Sequence, residues 1–482
     1  MTQEKRNTLT KHLFLWLGPV FMLLTCFVEP PSGLSVAGWR TAGLAFWLAS
    51  WWVSEVVPIP ATSLLPLVIA PLADIAPIKA VASPYAHPLI YLFLGGFLLS
   101  IAMERWGLHK RIALTTLLVA GNKPSTQIMA MMLVTAFLSM WMSNTATAVM
   151  MLPIALSVVH LLKNNDSECQ GFAKALLLSI AYGASIGGIA TLIGTPPNAL
   201  MAAYLSDSYN IEIGFATWMM IGVPLSVVML ILTWVWLTKV MYKVDQSGTT
   251  LETKGMFKKQ LAQLGSMSRA EKGVLVVFAA AALCWVFRPL LASLTGLAIS
   301  DTGIAIAAAL MLFVLPVEKG SDERVLDWDH AAKVPWGILL LFGGGLTLAA
   351  QIKSSGLADY IANMLSGAGS LQLAVGVLIV AALITFLTEI TSNTATAAGF
   401  LPLLGPVAES ITGTPLVWVI PAAIAASCAF MMPVATPPNA IVFGSGEIKI
   451  KDMIRAGFVL NLIAIALITL VTLFLAPSVL GY

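Results

Sequence analysis

Three observations predict an all-α polytopic membrane protein, with eleven transmembrane helices and two re-entrant hairpins arranged as an inverted two-fold repeat. The first is composition: 58% of the 482 residues are hydrophobic and 10% are charged, against about 25% charged in an average soluble domain. The second is the recurrence of apolar runs about 20 residues long, enough to cross a hydrocarbon core of about 30 Å at about 1.5 Å of rise per residue. The third is that two motifs each occur twice. Ser143-Asn144-Thr145-Ala146-Thr147-Ala148 returns as Ser392-Asn393-Thr394-Ala395-Thr396-Ala397, and Thr195-Pro196-Pro197-Asn198-Ala199 returns as Thr436-Pro437-Pro438-Asn439-Ala440.

Composition also removes several function classes. The net charge is only +3, and the basic residues are scattered through short polar loops with no stripe beside aromatic residues, so no nucleic-acid partner is expected. Membrane lipid is the main surrounding. Cys26, Cys169, Cys284 and Cys428 lie far apart without a CxxC pair, so neither a disulfide framework nor a zinc site is indicated. The first apolar stretch follows Lys5, Arg6 and Lys11 in the manner of a signal peptide. It is longer than a usual signal core and no small-residue cleavage site follows, so it reads as a retained helix.

Apolar runs bounded by charge, Pro or Gly place spans at 12–28, 38–56, 60–76, 88–104, 173–206, 217–241, 272–292, 302–317, 336–352, 416–444 and 453–478. Two further stretches, 126–162 and 372–411, are each interrupted by Ser-Asn-Thr. Each is expected to enter and leave the membrane on one side. Eleven crossings put the termini on opposite faces. With the N-terminus cytoplasmic, 22 of the 26 Lys and Arg residues fall inside, and only Arg40, Lys79, Arg288 and Lys353 fall outside. That asymmetry fixes the orientation of a bacterial inner-membrane protein, with the C-terminus outside. Residues 105–120 alternate charge with apolar residues at helical spacing and are expected to lie flat in the cytoplasmic interface.

A shift of 249 residues superposes the two Ser-Asn-Thr motifs, Pro153 on Pro402, Gly95-Gly96 on Gly344-Gly345, and Gly107-Leu108 on Gly356-Leu357. The Thr-Pro-Pro-Asn pair needs a shift of 241, the difference being a polar loop around Lys163 to Gln170 in the first copy. The chain therefore divides into an N-terminal helix (1–35), a first repeat (36–244), a cytoplasmic linker (245–270) and a second repeat (271–482). Each copy has five spans and a hairpin. Five is odd, so the second copy enters the membrane upside down, as in the inverted repeats of secondary transporters.

The two motifs are also where chemistry is expected. Consecutive prolines cannot continue a helix, so carbonyls near 191–194 and 432–435 are released from helical hydrogen bonds. Broken helices persist at membrane depth where their backbone lines a cavity or meets a ligand, and carbonyls beside hydroxyl and amide oxygens suit a hard cation such as sodium. The helix that starts after each Ser-Asn-Thr turn aims its amides at the same place, which favours an anion. The plain alternative is that Ser, Asn and Thr cap the half-helices. Duplication of both motifs at matched positions weighs against that alternative, because capping does not require the same residues twice. Glu389 beside the second tip and Glu55 at the end of the second span are membrane acids, read as structural hydrogen bonders. Gly183 and Gly187 read as a packing stripe, and Met140 and Trp141 as core filling.

These paired tips and breaks resemble the divalent anion:sodium symporter family, the INDY-like dicarboxylate transporters, over nearly the whole chain. The resemblance implies import of C4-type dicarboxylates such as succinate, malate and fumarate by sodium symport. It also implies a homodimer in which a transport domain moves past a fixed scaffold as an elevator. Two or more sodium ions are implied: one site from Ser139, Ser143, Asn144 and Gly194, another from Thr388, Thr391, Asn393 and Ala435, with backbone carbonyls among the ligands. Substrate carboxylates would meet Ser143, Asn144, Thr145 and Thr195 from one repeat and Ser392, Asn393, Thr394, Thr436 and Pro437 from the other. A dicarboxylate or citrate/succinate exchanger of the same fold is the main alternative. An intramembrane enzyme would need a set such as HExxH, paired Asp or a Ser/Lys dyad, and the spans carry none. A channel would build its selectivity ring from identical subunits.

Overall fold

In a computed structural model of the chain, residues 3–120, 123–163, 169–244, 251–366 and 373–482 are described. Most of the extra loop of the first repeat, the start of the linker and the first residue of the second hairpin lie outside them. The described residues form helices joined by short turns, with one isolated β-bridge between Pro316 and Arg324. Among the described residues, five helices are long and apolar enough to cross a membrane: Ile78–Arg105, Gln170–Ile189, Phe215–Met241, Trp336–Ser354 and Ile450–Leu480. The other apolar segments are shorter or broken, so length alone does not establish eleven crossings.

Two expected straight spans are not straight. The segment at 272–292 bends by 79° between Arg269–Val286 and Arg288–Thr295. Pro289 supplies the reason, since its ring displaces the carbonyl of the previous turn and it donates no amide. The segment at 60–76 splits into Ile59–Thr62 and Leu65–Leu72, each with a proline in its first turn, where its missing N–H costs nothing.

The first hairpin consists of Pro124–Ser139 and Asn144–Lys163, the second of Leu373–Thr388 and Asn393–Thr412. The leading arms have 16 residues each, about 24 Å at the usual rise, which is short of a full crossing. Pro124–Ser139 packs along Cys169–Ile189. Glycine permits this close approach: a Cβ at Gly187 would lie 2.3 Å from the Ala136 carbonyl oxygen, and one at Gly183 would lie 2.9 Å from that of Met132. The packing role read for this stripe is what the backbones display.

Both expected helix breaks are present. Cys169–Ile189 stops and the chain resumes as Pro196–Tyr209, while Leu416–Ala425 stops and resumes as Pro437–Phe443. In each case Pro-Pro occupies the opening positions of the second half-helix, after an extended Thr195 or Thr436. The prolines thus start the new helix as well as preventing the old one from continuing.

Candidate functional site

The two tips and two breaks converge on one cavity of about 650 Å³. All nine residues expected to touch substrate line it: Ser143, Asn144, Thr145 and Thr195 from the first repeat, and Ser392, Asn393, Thr394, Thr436 and Pro437 from the second. Of the expected cation ligands, Gly194, Thr391 and Ala435 also reach the wall. Ser139 and Thr388 do not; they are fully buried behind it.

Those two hydroxyls reveal how the tips are built. Ser139 Oγ lies 2.6 Å from the inner end of the Asn144 amide and donates to the Ala184 carbonyl oxygen at 2.8 Å. Thr388 Oγ1 donates to Asn393 Oδ1 (2.6 Å) and lies 2.9 Å from the Ala426 carbonyl oxygen. Each tip asparagine is thereby turned toward the neighbouring break. The inner end of the Asn144 amide also stands 3.2 Å from the Gly194 carbonyl oxygen and 3.2 Å from that of Ala184. With its oxygen inward, Asn144 completes a cluster of four oxygens; with its nitrogen inward, it donates to the other three. Four converging oxygens suit a hard monovalent cation, and rotation of the Asn144 amide satisfies them without one.

The capping alternative holds for Ser143 and for Thr436, whose Oγ1 accepts from the Asn439 amide at 3.3 Å. Ser143 Oγ accepts from the Ala146 amide at 3.2 Å, whereas Ser392 makes no side-chain cap bond. Asn144 and Asn393 are not the caps. Thr391, in the tip turn, is committed elsewhere, its hydroxyl bonding the Leu387 carbonyl at 2.9 Å and Thr396 Oγ1 at 2.6 Å, so its side chain ties the two arms of the hairpin together.

Several contributors went unpredicted. Asn198 Nδ2 donates to the carbonyls of Gly188, Ile189 and Thr191 (3.3, 3.1 and 2.8 Å). Asn439 Nδ2 does the same for Ala429 and Met432 (3.1 and 3.0 Å). Each Pro-Pro-Asn thus ties off carbonyls freed by its own break. Ser427 Oγ meets Thr195 Oγ1 at 3.3 Å, joining the two repeats across the cavity floor. Trp141, by contrast, fills the core as expected: it stacks on Trp285 (centroids 6.2 Å, 12°), with Phe215 alongside.

The far wall comes from other helices: Val53, Ser54 and Glu55, then Phe93, Phe97 and Ile338. Glu55 is the one titratable residue on the cavity wall among the described residues. The sequence expectation is a structural hydrogen bonder, but among the described residues its side chain makes no hydrogen bond; its left-handed backbone caps the helix Val36–Ser54, its N–H donating to the Trp51 carbonyl. Among the described residues no Lys, Arg or His lines the cavity. Glu389 does serve structurally, being buried behind the second tip against the break at 430–432.

The chain matches the family described as the sodium:sulfate symporter transmembrane region over residues 9–479. It is 42% identical over 476 residues to the sodium-dependent dicarboxylate transporter SdcS of Staphylococcus saprophyticus, covering 97% of this chain and 92% of that protein. The same identity over 480 residues relates it to SdcS of Staphylococcus aureus, with 97% and 91% covered. Among solved structures, it resembles the YdaH transporter of Alcanivorax borkumensis with a TM-score of 0.60 at 12% identity, covering 96% of this chain and 98% of that one. The last likeness concerns the fold alone.

Proposed function

Because this chain belongs to the divalent anion:sodium symporter family, we propose that it imports C4-type dicarboxylates such as succinate, malate and fumarate across a bacterial inner membrane by sodium symport. The observation that carries this reading is a cavity walled by two duplicated hydroxyl-amide-carbonyl clusters and, among the described residues, by no basic side chain. A doubly charged anion entering such a cavity loses its hydration, and helix N-termini offset that loss only in part. Cations bound at the oxygen clusters supply the missing positive field. Sodium fits an oxygen-only donor set, and among the described residues no group of His, Cys, Asp and Glu is arranged to hold a transition metal.

One sodium is held by Ser139, Ser143, Asn144 and Gly194. The other is held by Thr388, Asn393 and Ala435, with Thr391 acting through its backbone. The two carboxylates of the substrate sit between the tips. The transport domain comprises the hairpins and broken helices, and it moves as an elevator against a scaffold that includes Glu55, Phe93 and Ile338, within a homodimer. The repeats are inverted, spanning 36–244 and 271–482. Eleven crossings leave the N-terminus cytoplasmic and the C-terminus outside, in keeping with the basic-residue asymmetry. The test is succinate uptake into proteoliposomes with and without an inward sodium gradient. Uptake that requires the gradient supports symport, and gradient-independent succinate exchange would replace it with an exchanger.

A further inference from the structure

The two repeats secure their helix breaks in different ways, and the difference falls on residues that the transport reading leaves without a task. In the first repeat, the helix Phe215–Val235 seats the break through Gly222, where a Cβ would lie 2.6 Å from the Ile189 carbonyl oxygen. One turn later Ser226 Oγ donates to the Ile186 carbonyl at 2.9 Å. In the second repeat, the helix Ile450–Leu470 seats the break through Gly457, where a Cβ would lie 2.2 Å from the Phe430 carbonyl oxygen. One turn later stands Asn461, at the place of Ser226, and its Nδ2 donates to Glu389 Oε1 at 2.7 Å. Glu389 in turn occupies the place of Met140. The matched positions carry Met140 and Ser226 in the first repeat and Glu389 and Asn461 in the second.

The carboxylate of Glu389 accepts from three consecutive backbone amides, Phe430 and Met431 on Oε1 (2.7 and 2.9 Å) and Met432 on Oε2 (2.9 Å). All four partners are donors, Glu389 is 3% exposed, and Asn461 is fully buried. No Lys, Arg or His pairs with this carboxylate among the described residues. A buried charge is tolerable only when its acceptor sites are filled in this way. Met432 also opens the turn that carries Ala435: its carbonyl accepts from Asn439 Nδ2 (3.0 Å) and from the Ala435 amide (3.2 Å). The turn is thus anchored at its first residue by Glu389.

We propose that Glu389 and Asn461 form one positioning unit for the second helix break, holding the turn 432–435 so that the Ala435 carbonyl faces the second sodium. Glu389 remains a hydrogen-bond acceptor throughout and carries no proton through the cycle. The inference rests on the sodium-symport reading. A glutamine at 389 would present an amide N–H to backbone N–H groups, and an alanine at 461 would remove one of four donors.

The test is succinate binding to purified full-length protein across a sodium series, for wild type, Glu389→Gln, Asn461→Ala and the double variant. Each single variant is expected to raise the half-saturating sodium concentration by about tenfold or more, the range for a lost hydrogen bond to a charged group. Succinate affinity at saturating sodium should return to wild type, the double variant should be no worse than the worse single one, and the pH profile of uptake should not move. Asn461→Ala leaves three amides on Glu389 and is the milder probe of folding. Wild-type sodium dependence in either single variant, additive losses, binding that no sodium concentration restores, or a shifted pH profile in Glu389→Gln would each overturn the proposal. A wild-type protein that binds succinate without sodium would overturn the symport reading itself, and this inference with it.

Discussion

Ser139 Oγ meets the inner end of the Asn144 amide across the first hairpin tip at 2.6 Å, and the contact returns at the same distance between Thr388 Oγ1 and Asn393 Oδ1 in the second. Each asparagine is held from behind by a buried hydroxyl while its backbone starts the helix that faces the cavity. Asn144→Ala and Asn393→Ala are therefore each expected to abolish sodium-driven succinate uptake, while membrane insertion and purification yield stay normal. A buried hydrogen bond to a charged group is worth about 1.5–3 kcal/mol, or roughly ten- to a hundredfold in affinity, before any loss of ion binding. Near-normal uptake in either variant would dissolve the paired site.

The close contact between Gly187 and Ala136 predicts a stability defect separate from transport chemistry. Gly187→Ala places a methyl group against backbone that cannot rotate away, an overpacking cost of typically 1–3 kcal/mol. The purified variant should melt several degrees below wild type. Gly399→Ala is the control, since its Cβ would meet nothing within 4 Å, and it should melt within a degree or two. Equal melting of both variants would show that the two helices are not locked at Gly187.

Among the described residues Glu55 alone brings a formal charge to the cavity wall, and that charge has the sign of the substrate. Glu55→Gln is expected to tighten dicarboxylate binding, by roughly two- to tenfold because the group is exposed and well screened. Isothermal titration with succinate at low and at high salt checks this, with the larger gain expected at low salt. Weaker binding in the variant would mean that Glu55 holds a cation or the wall itself.

Orientation can be read chemically. A cysteine replacing Lys258, on the helix Leu251–Gln263, should react with an impermeant reagent only from the cytoplasmic side, and one replacing Tyr482 only from outside. Labelling of residue 258 in intact cells would overturn the eleven-span topology.

The cavity was legible in the sequence because its parts are short, local and duplicated. Ser-Asn-Thr and Thr-Pro-Pro each fix their own backbone within a few residues, and chain order pairs them. What brings them together was not legible. Asn198 and Asn439 stood in plain view in the motif, but their task is to tie off carbonyls seven to ten residues back, which spacing does not announce. Ser427 reaches Thr195 across 232 residues, and Glu389 finds Asn461 across 72; neither pairing has a periodic signal. Glu55 looked like an interfacial acid because nothing local shows that the end of its helix abuts the cavity. The bend at Phe287 had a local sign in Pro289, but it was masked by uninterrupted hydropathy on both sides.

The central claim is that bound sodium provides the positive charge that the cavity lacks. Succinate binding to purified protein, measured across a sodium series with choline holding ionic strength constant, tests it most directly. Affinity should climb steeply as sodium rises, with more than one ion per succinate in the slope, and should vanish in choline alone. Succinate affinity that is the same in choline as in sodium would contradict the account.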